Sequence, residues 1–401
     1  MMGGWMKSMA DSLIQIDGNI KIAIASPWPT SKDLIDIKEG NYQFYGLPVK
    51  ANNPDIDHSI IPYWKKINAT FKPDLVHLHG TEFTHGYGWI LANGNHNVVV
   101  SLQGLVSVIS RYETGGINFR FIRDMTLRDM LTLNLLSTQN NRLKKSAINE
   151  IKLLKSIDHV IGRTEWDKTH VWSHNQDCKY HFCNENLRNP FYLGEKWSPN
   201  TCIPHRIFLS QAASSIKGIH KVIEALPLIL RKYPDTMVYV AGHDFTIKNT
   251  FIDKLRYNKF AKYIDRLMNN LGVREHIHFT GMLNADEMAE QYRKANVFIC
   301  PSSIENSPNS LGEAQLIGVP VIASYVGGIP DMVTHGLTGL LYRFEEHEML
   351  AQFVCRVFDD DTLAIHLSEN GRVAAEKRHD RNTNASRTIE IYNKILQLSE
   401  K

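Results

Sequence analysis

Cysteine is scarce in this chain. Five residues in 401 (Cys178, Cys183, Cys202, Cys300 and Cys355), odd in number and scattered, exclude a disulfide framework and fit a reducing, cytoplasmic setting. Long apolar runs are lacking too. No window approaches the roughly 18 uninterrupted apolar residues of a membrane-spanning helix. The N-terminus has no long apolar core behind positive charge, so no secretory signal is expected. Charge of neither sign dominates: 45 Lys and Arg stand against 42 Asp and Glu, a net +3. Nucleic acid is not an expected partner. Repeats and low-complexity tracts are absent, as are the Gly-x-Ser-x-Gly elbow, the P-loop and His-Glu-x-x-His.

What is present is ordinary globular material, 43% apolar and 22% charged, long enough for two domains with a core each. Short apolar strands alternate with helical patterns, which predicts parallel βαβ units. In the first half they fall at Ile20 to Ala25, Asp74 to His79, Asn97 to Leu102 and His159 to Gly162. In the second half they recur at Arg206 to Ser210, Met237 to Ala241, His276 to Thr280, Ala295 to Cys300 and Pro320 to Ser324. Arg188 to Ile203, rich in Pro, Gly and Asn, reads as an interdomain linker. The domains expected are 1–190 and 204–383, with a last helix, 384–399, packing back on the first. From Arg111 to Lys155, nine Lys and Arg face four Asp and Glu among many apolar residues. Such a basic, partly amphipathic stretch suits either an anionic membrane face or packing on its own domain.

The run from Cys300 to Ser324, CPSSIENSPNSLGEAQLIGVPVIAS, is the most informative. An apolar strand leads into a polar loop, then into a short helix opening near Pro308-Asn309 and stopping at Gly318. A second strand and a Gly-Gly turn (Val326 to Pro330) follow. Free backbone N–H groups and the positive end of the helix suit a diphosphate. Glu305 and Glu313, eight positions apart, suit hydroxyl groups, because an ionised acid accepts hydrogen bonds from a diol. Phosphate between diols describes a nucleotide-sugar. The same spacing also suits a plain strand-loop-helix unit with two solvated glutamates.

Glu305-x7-Glu313, Ala314, Gly318-x-Pro320, Gly327-Gly328-x-Pro330 and Thr338-Gly339-Leu340-Leu341 together resemble the signature of family 4 (group 1) retaining glycosyltransferases. The resemblance implies a GT-B fold: two doubly wound, Rossmann-like α/β domains facing across a cleft. It also implies transfer of a hexose from a nucleotide-diphosphate sugar to a saccharide or lipid-linked acceptor, with retention and without a metal or other cofactor. By the same resemblance Glu305 contacts the transferred sugar, Glu313 the ribose, and the amides of Asn309, Ser310 and Leu311 the diphosphate. Lys217, in the loop before the apolar-periodic helix Ile219 to Leu230, would neutralise phosphate. Relatives carry an Arg five or six positions earlier, where this chain has Gln211 and Ala212; Arg206 is the alternative base.

In the first domain His79 ends a strand, where open α/β sheets bind ligands, and alternation points His77 the same way. Gln103 stands where relatives have a His near the sugar and β-phosphate, able to donate a hydrogen bond but not to carry charge. Arg163, in Gly162-Arg163-Thr164-Glu165-Trp166-Asp167, resembles a cleft-facing residue, with Trp166 and Asp167 equally suited to structure. His170, His174, Cys178, His181 and Cys183 match no standard zinc pattern, and no metal is expected. The chain opens at Gly3-Gly4-Trp5, which resembles the turn after a first strand, so Gly4 is placed at the substrate. That strand is expected to be missing, through a misassigned start or a truncated gene, or else a short leader precedes a complete domain. Three other functions stay open: a GT-B epimerase, a dinucleotide-dependent oxidoreductase and a degenerate, non-catalytic relative.

Overall fold

In the computed structural model, which describes residues 4–50, 53–117, 136–250, 253 and 257–399, the chain forms two units. Unit 1 takes residues 1–111, 140–186 and 380–401; unit 2 takes 112–139 and 187–379. Within the basic stretch 111–155, residues 118–135 lie outside the described residues, as do Met1 to Gly3.

Among its described residues unit 1 has seven strands: β1 (Ile22–Pro27), β2 (Ile35–Glu39), β3 (Tyr42–Leu47), β4 (Val76–His79), β5 (Val98–Ser101), β6 (His159–Gly162) and β7 (Lys179–Phe182). Among the described residues they make two sheets, ordered β1-β3-β2 and β4-β5-β6-β7. The second is wholly parallel. Its strands β5 and β6 are buried along their length, as continuous apolar strands between helical layers are. The first is mixed, and here the expectation of parallel units throughout is corrected. β2 runs antiparallel to β3, with Glu39 opposite Tyr42 and Gly40-Asn41 as the turn. Gly40 sits at φ +57, a conformation the missing Cβ makes cheap.

Helix α1 (Gly4–Ile16) packs on the C-terminal helix Arg381–Ser399. That last helix seats Ile391 and Ile395 against Val99 and Ile161 of the parallel sheet. Helix α2 (Leu136–Lys155) buries Ala147, Leu153 and Leu154 and leaves Lys144, Lys145, Ile148, Lys152 and Lys155 exposed.

Among its described residues unit 2 holds six strands: β8 (Arg206–Leu209), β9 (Met237–Val240), β10 (Ile277–Phe279), β11 (Val297–Cys300), β12 (Val321–Ser324) and β13 (Leu340–Tyr342). All pair in parallel, in the order β10-β9-β8-β11-β12-β13. The order reverses between β8 and β11, and ligands of doubly wound sheets bind at the carboxyl ends of the strands flanking such a reversal. Helix α3 (Ile219–Leu230) follows β8, and helix α4 (Asn309–Ile317) joins β11 to β12. The apolar faces of both helices enter one core with the strands: Val222, Ile223, Leu226 and Ile229 from α3, and Leu311, Ala314 and Ile317 from α4. Each large apolar side chain buried there contributes roughly 1.5–3 kcal/mol.

The stretch Arg188 to Ile203, expected as a linker, is packed down on unit 2. Phe191 is fully buried. The Trp197 amide donates to the Ile317 carbonyl (2.8 Å) and its indole to the Ala295 carbonyl (2.7 Å). Pro and Gly here shape a fitted strap, because its aromatic residues outweigh the freedom its turns would allow.

Candidate functional site

The two loops at the sheet reversal are locked together by their backbones. After β8, Ser215–Lys217 forms a single 3-10 turn closed by Gly218 at φ +70. A Cβ on Gly218 would lie 1.8 Å from the Pro301 carbonyl oxygen, so only glycine lets this loop touch the end of β11. Ser303 donates its amide to the Ile216 carbonyl (2.8 Å), tying the β11 loop to the β8 loop. The Gly-Gly turn holds the other side. Gly328 donates to the Glu305 carbonyl (3.0 Å), and Gly327, at φ +51, would place a Cβ 1.9 Å from that same oxygen.

These contacts bring Lys217 and Glu305 together across 88 positions of sequence. The Lys217 Nζ lies 2.6 Å from Glu305 Oε1, and the Ser302 hydroxyl donates to the same oxygen (2.7 Å). Both side chains line a pocket with Gln211, Cys300, Ser302 and Ser310. Burial works against the Lys217 charge, but the Glu305 carboxylate outweighs it and holds the ammonium above its usual range. Burial pushes the Cys300 thiol up to about 12, with Glu305 adding to the shift, so it stays protonated and is no nucleophile.

Helix α4 opens at Asn309 beside this pocket. Its first turn narrows one expectation: the Leu311 amide already donates to the Pro308 carbonyl (3.0 Å), leaving those of Asn309 and Ser310 as the helix-start donors. Glu313, one turn on, is almost wholly buried. Its Oε1 accepts from Arg188 Nη2 (2.8 Å) and Nε (3.1 Å), and its Oε2 from the Tyr292 hydroxyl (3.4 Å). Burial raises the Glu313 carboxyl to about 7 despite the opposing pull of Arg188 and Tyr292. Gly312 makes room beside it, since a Cβ there would meet His379 Nε2 at 2.4 Å.

Arg206 does not reach the pocket. Its guanidinium stacks on Tyr239 (3.4 Å to the ring centre) and bonds Gln291, so this alternative phosphate partner is ruled out by its packing. Sequence reading missed a second support. Residues Tyr112 to Ile117, distant in the chain, wrap the Lys217 loop: the Glu113 carbonyl accepts from Ser215, and the Gly115 carbonyl bonds His220 (2.8 Å). Two consecutive glycines, Gly115 and Gly116, were the one signal of so close an approach, since a Cβ on Gly115 would lie 2.3 Å from the Ser215 oxygen.

In unit 1, His79, Arg163 and Glu185 line a second pocket with Ser101, Asn184 and Met9. His77 and His79 do point the same way, their rings stacked 4.0 Å apart. His77 is a structural residue, bonded to Tyr392 (2.6 Å) and Ser101 (2.5 Å), and burial holds its imidazole neutral. His79 is exposed at the carboxyl end of β4. Arg163 is buried, ion-paired with Glu185 and donating to the Leu102 carbonyl. Gln103 donates to the same Glu185 carboxylate (2.5 Å). Glu185, unnoticed in the sequence, thus joins two predicted site residues. Asp167 caps the helix Glu165–His174 and is structural. Gly4 begins α1. His181 pairs with His159 (3.1 Å) and Cys183 with Thr388 (3.5 Å), and no group of three or more metal-ligating side chains occurs among the described residues.

The comparisons with known proteins fall on the segment that carries this pocket. Residues 204–374 match the model of glycosyl transferases group 1. That segment contains Lys217, Glu305 and Glu313. Among relatives, a glycosyltransferase of Methanocaldococcus jannaschii is 25% identical over 45% of this chain and 43% of its own length. The GDP-mannose-dependent alpha-(1-6)-phosphatidylinositol monomannoside mannosyltransferase of Mycobacterium tuberculosis is 29% identical over 48% and 47%. The chain thus spans less than half the length of these curated relatives. Among solved structures, sucrose-phosphate synthase from Thermosynechococcus elongatus aligns with 98% of this chain and 93% of its own, at a TM-score of 0.74 and 17% identity. Anabaena HepE in complex with UDP and glucose covers 83% and 81%, at 0.61 and 18%. These likenesses establish the fold, GT-B with its two α/β units.

Proposed function

We propose that the protein is a glycosyltransferase that moves a hexose from a nucleotide-diphosphate sugar to a hydroxyl of a saccharide or lipid-linked saccharide, with retention of anomeric configuration. The observation that carries this reading is the Lys217–Glu305 pair in its pocket at the sheet reversal, beside the open amides of α4. The group 1 match over the same residues supports it, as do the relatives named as glycosyltransferases and a fold neighbour whose structure contains UDP and glucose.

The chemistry follows from the groups present. As the bond from sugar to diphosphate lengthens, charge collects on the leaving phosphate. The Lys217 ammonium, on exchanging Glu305 for phosphate, and the Asn309 and Ser310 amides are placed beside the pocket to take it up. No metal is required in this scheme. Glu305, released from Lys217, accepts from the sugar hydroxyls and fixes the ring, while Glu313 does so for the ribose. His79 and Arg163 would position the acceptor, holding the attacking hydroxyl in place, and Gln103 would donate a hydrogen bond to the sugar or the β-phosphate. Gly4 is assigned to the same substrate side.

The reading is tested with Lys217→Ala and Glu305→Ala, assayed for sugar release from a panel of nucleotide-sugars. Each is expected to lower turnover by two or more orders of magnitude with an unchanged circular dichroism spectrum. Near-normal rates in either would refute the assignment.

The lipid-linked acceptor suggests cytoplasmic chemistry at a membrane face, and α2 is the element suited to it. Its exposed Lys144, Lys145, Lys152 and Lys155 surround Ile148. The protein is expected to sediment with vesicles containing anionic lipid and to be released by salt. Co-sedimentation with neutral vesicles to the same extent would count against this role.

A further inference from the structure

The acids and bases of the unit 2 site come in matched pairs. Lys217 pairs with Glu305, so a single ammonium there would face a nucleoside diphosphate that brings at least two negative charges. Among the described residues, the other cation bonded to a site acid is Arg188. Its guanidinium is fixed on two sides. One edge, Nε and Nη2, grips Glu313 Oε1, and one face lies over Phe191, 4.9 Å from the ring centre. Phe191 is fully buried, so this support is rigid. About a third of the Arg188 side chain remains open to solvent, and Nη1 has no hydrogen-bond partner among the described residues. The guanidinium is also wired to the first pocket: Glu313 meets the Tyr292 hydroxyl, which donates to the Ser310 carbonyl (3.1 Å), and Ser310 lines the pocket of Lys217 and Glu305.

A planar fork with one edge satisfied and the other unspent fits an anionic oxygen far better than a flexible ammonium would. If Arg188 served only to pin the strap Arg188–Ile203, its whole donor set could be buried, as that of Arg163 largely is in unit 1. Resting on the donor-site reading above, we infer that Arg188 is a second phosphate-binding cation of that site, presenting its free edge to the diphosphate while its bound edge holds Glu313 for the ribose.

The test compares binding of UDP and GDP, and of uridine and guanosine, to the full-length chain by calorimetry. Arg188→Gln is expected to weaken nucleoside diphosphate binding at least tenfold and nucleoside binding much less. Arg188→Lys, which keeps the charge without the fork, should fall between. Equal diphosphate affinity in wild type and Arg188→Gln overturns this inference and leaves the donor-site reading intact. If neither diphosphate binds the wild type, the donor-site reading falls and this inference with it. Should Arg188→Gln fail to fold around an uncompensated buried acid, the double variant Arg188→Gln, Glu313→Gln replaces it, measured against Glu313→Gln alone. A tenfold loss between those two supports the role, and equality overturns it.

Discussion

Glu313 is the carboxyl whose protonation matters most. Burial raises it to about 7 from an ordinary 4.5, against the pull of Arg188. A ribose hydroxyl donates more strongly to an ionised carboxylate than to a neutral acid. Nucleoside diphosphate affinity is therefore expected to fall as pH drops from about 8 to about 6, and Glu313→Gln should flatten that slope. Calorimetric titrations across this range read both. Stability carries the opposite sign. Between 4.5 and about 7 the folded carboxyl holds a proton that the unfolded one has released, so the folded state loses stability as pH rises through that window. Lys217, Glu305 and Glu313 were singled out in the sequence by the family resemblance. Their partners were not. Arg188 and Tyr292 reach Glu313 from 125 and 21 positions away, and nothing local in RNPFY advertises a salt bridge.

At the scale of elements, the Gly-Gly turn is the part of the site most sensitive to a small change. Gly327→Ala would set a Cβ 1.9 Å from the Glu305 carbonyl in a backbone region that disfavours side chains. The turn must withdraw and the Glu305 loop with it. Expected outcomes are a lower melting temperature and a transfer rate reduced about tenfold or more, both read on the purified variant; unchanged kinetics would show that Glu305 is held by something else. The elements β8, α3, β11 and α4 fall where the sequence places them, since apolar runs bounded by Pro, Gly and Asn specify them locally. Among the described strands, four escaped. The β2–β3 hairpin carried a readable sign in Gly-Asn between alternating residues, overshadowed by the parallel pattern around it. β7 (Lys-Tyr-His-Phe) and β13 (Leu-Leu-Tyr) are too short for periodicity to register.

For the whole molecule, the division into units has a measurable side. The apolar cores are separate: one cluster runs through unit 2, and two smaller ones belong to unit 1. Heating is expected to give two transitions by calorimetry. UDP or GDP at about a hundred times its dissociation constant should raise one of them, through roughly 2.7 kcal/mol of added stability, and leave the other in place. A uniform shift of both would show that the units melt as one. The α/β class was readable from the alternation of strands and helices, and the GT-B architecture from the family resemblance. The route of the chain was not, because residues 112–117 join unit 2 through contacts with a loop a hundred positions later.

On the proposed donor-site reading, the pairing of Lys217 with Glu305 and of Arg188 with Glu313 would also govern how a nucleotide finds its site. Two cations beside two carboxylates cancel at any distance beyond their own spacing, so little long-range field is left to draw an anion inward. Capture then depends on collision followed by local exchange of partners, and the association rate should respond only weakly to added salt, unlike that of a pocket lined with unpaired bases.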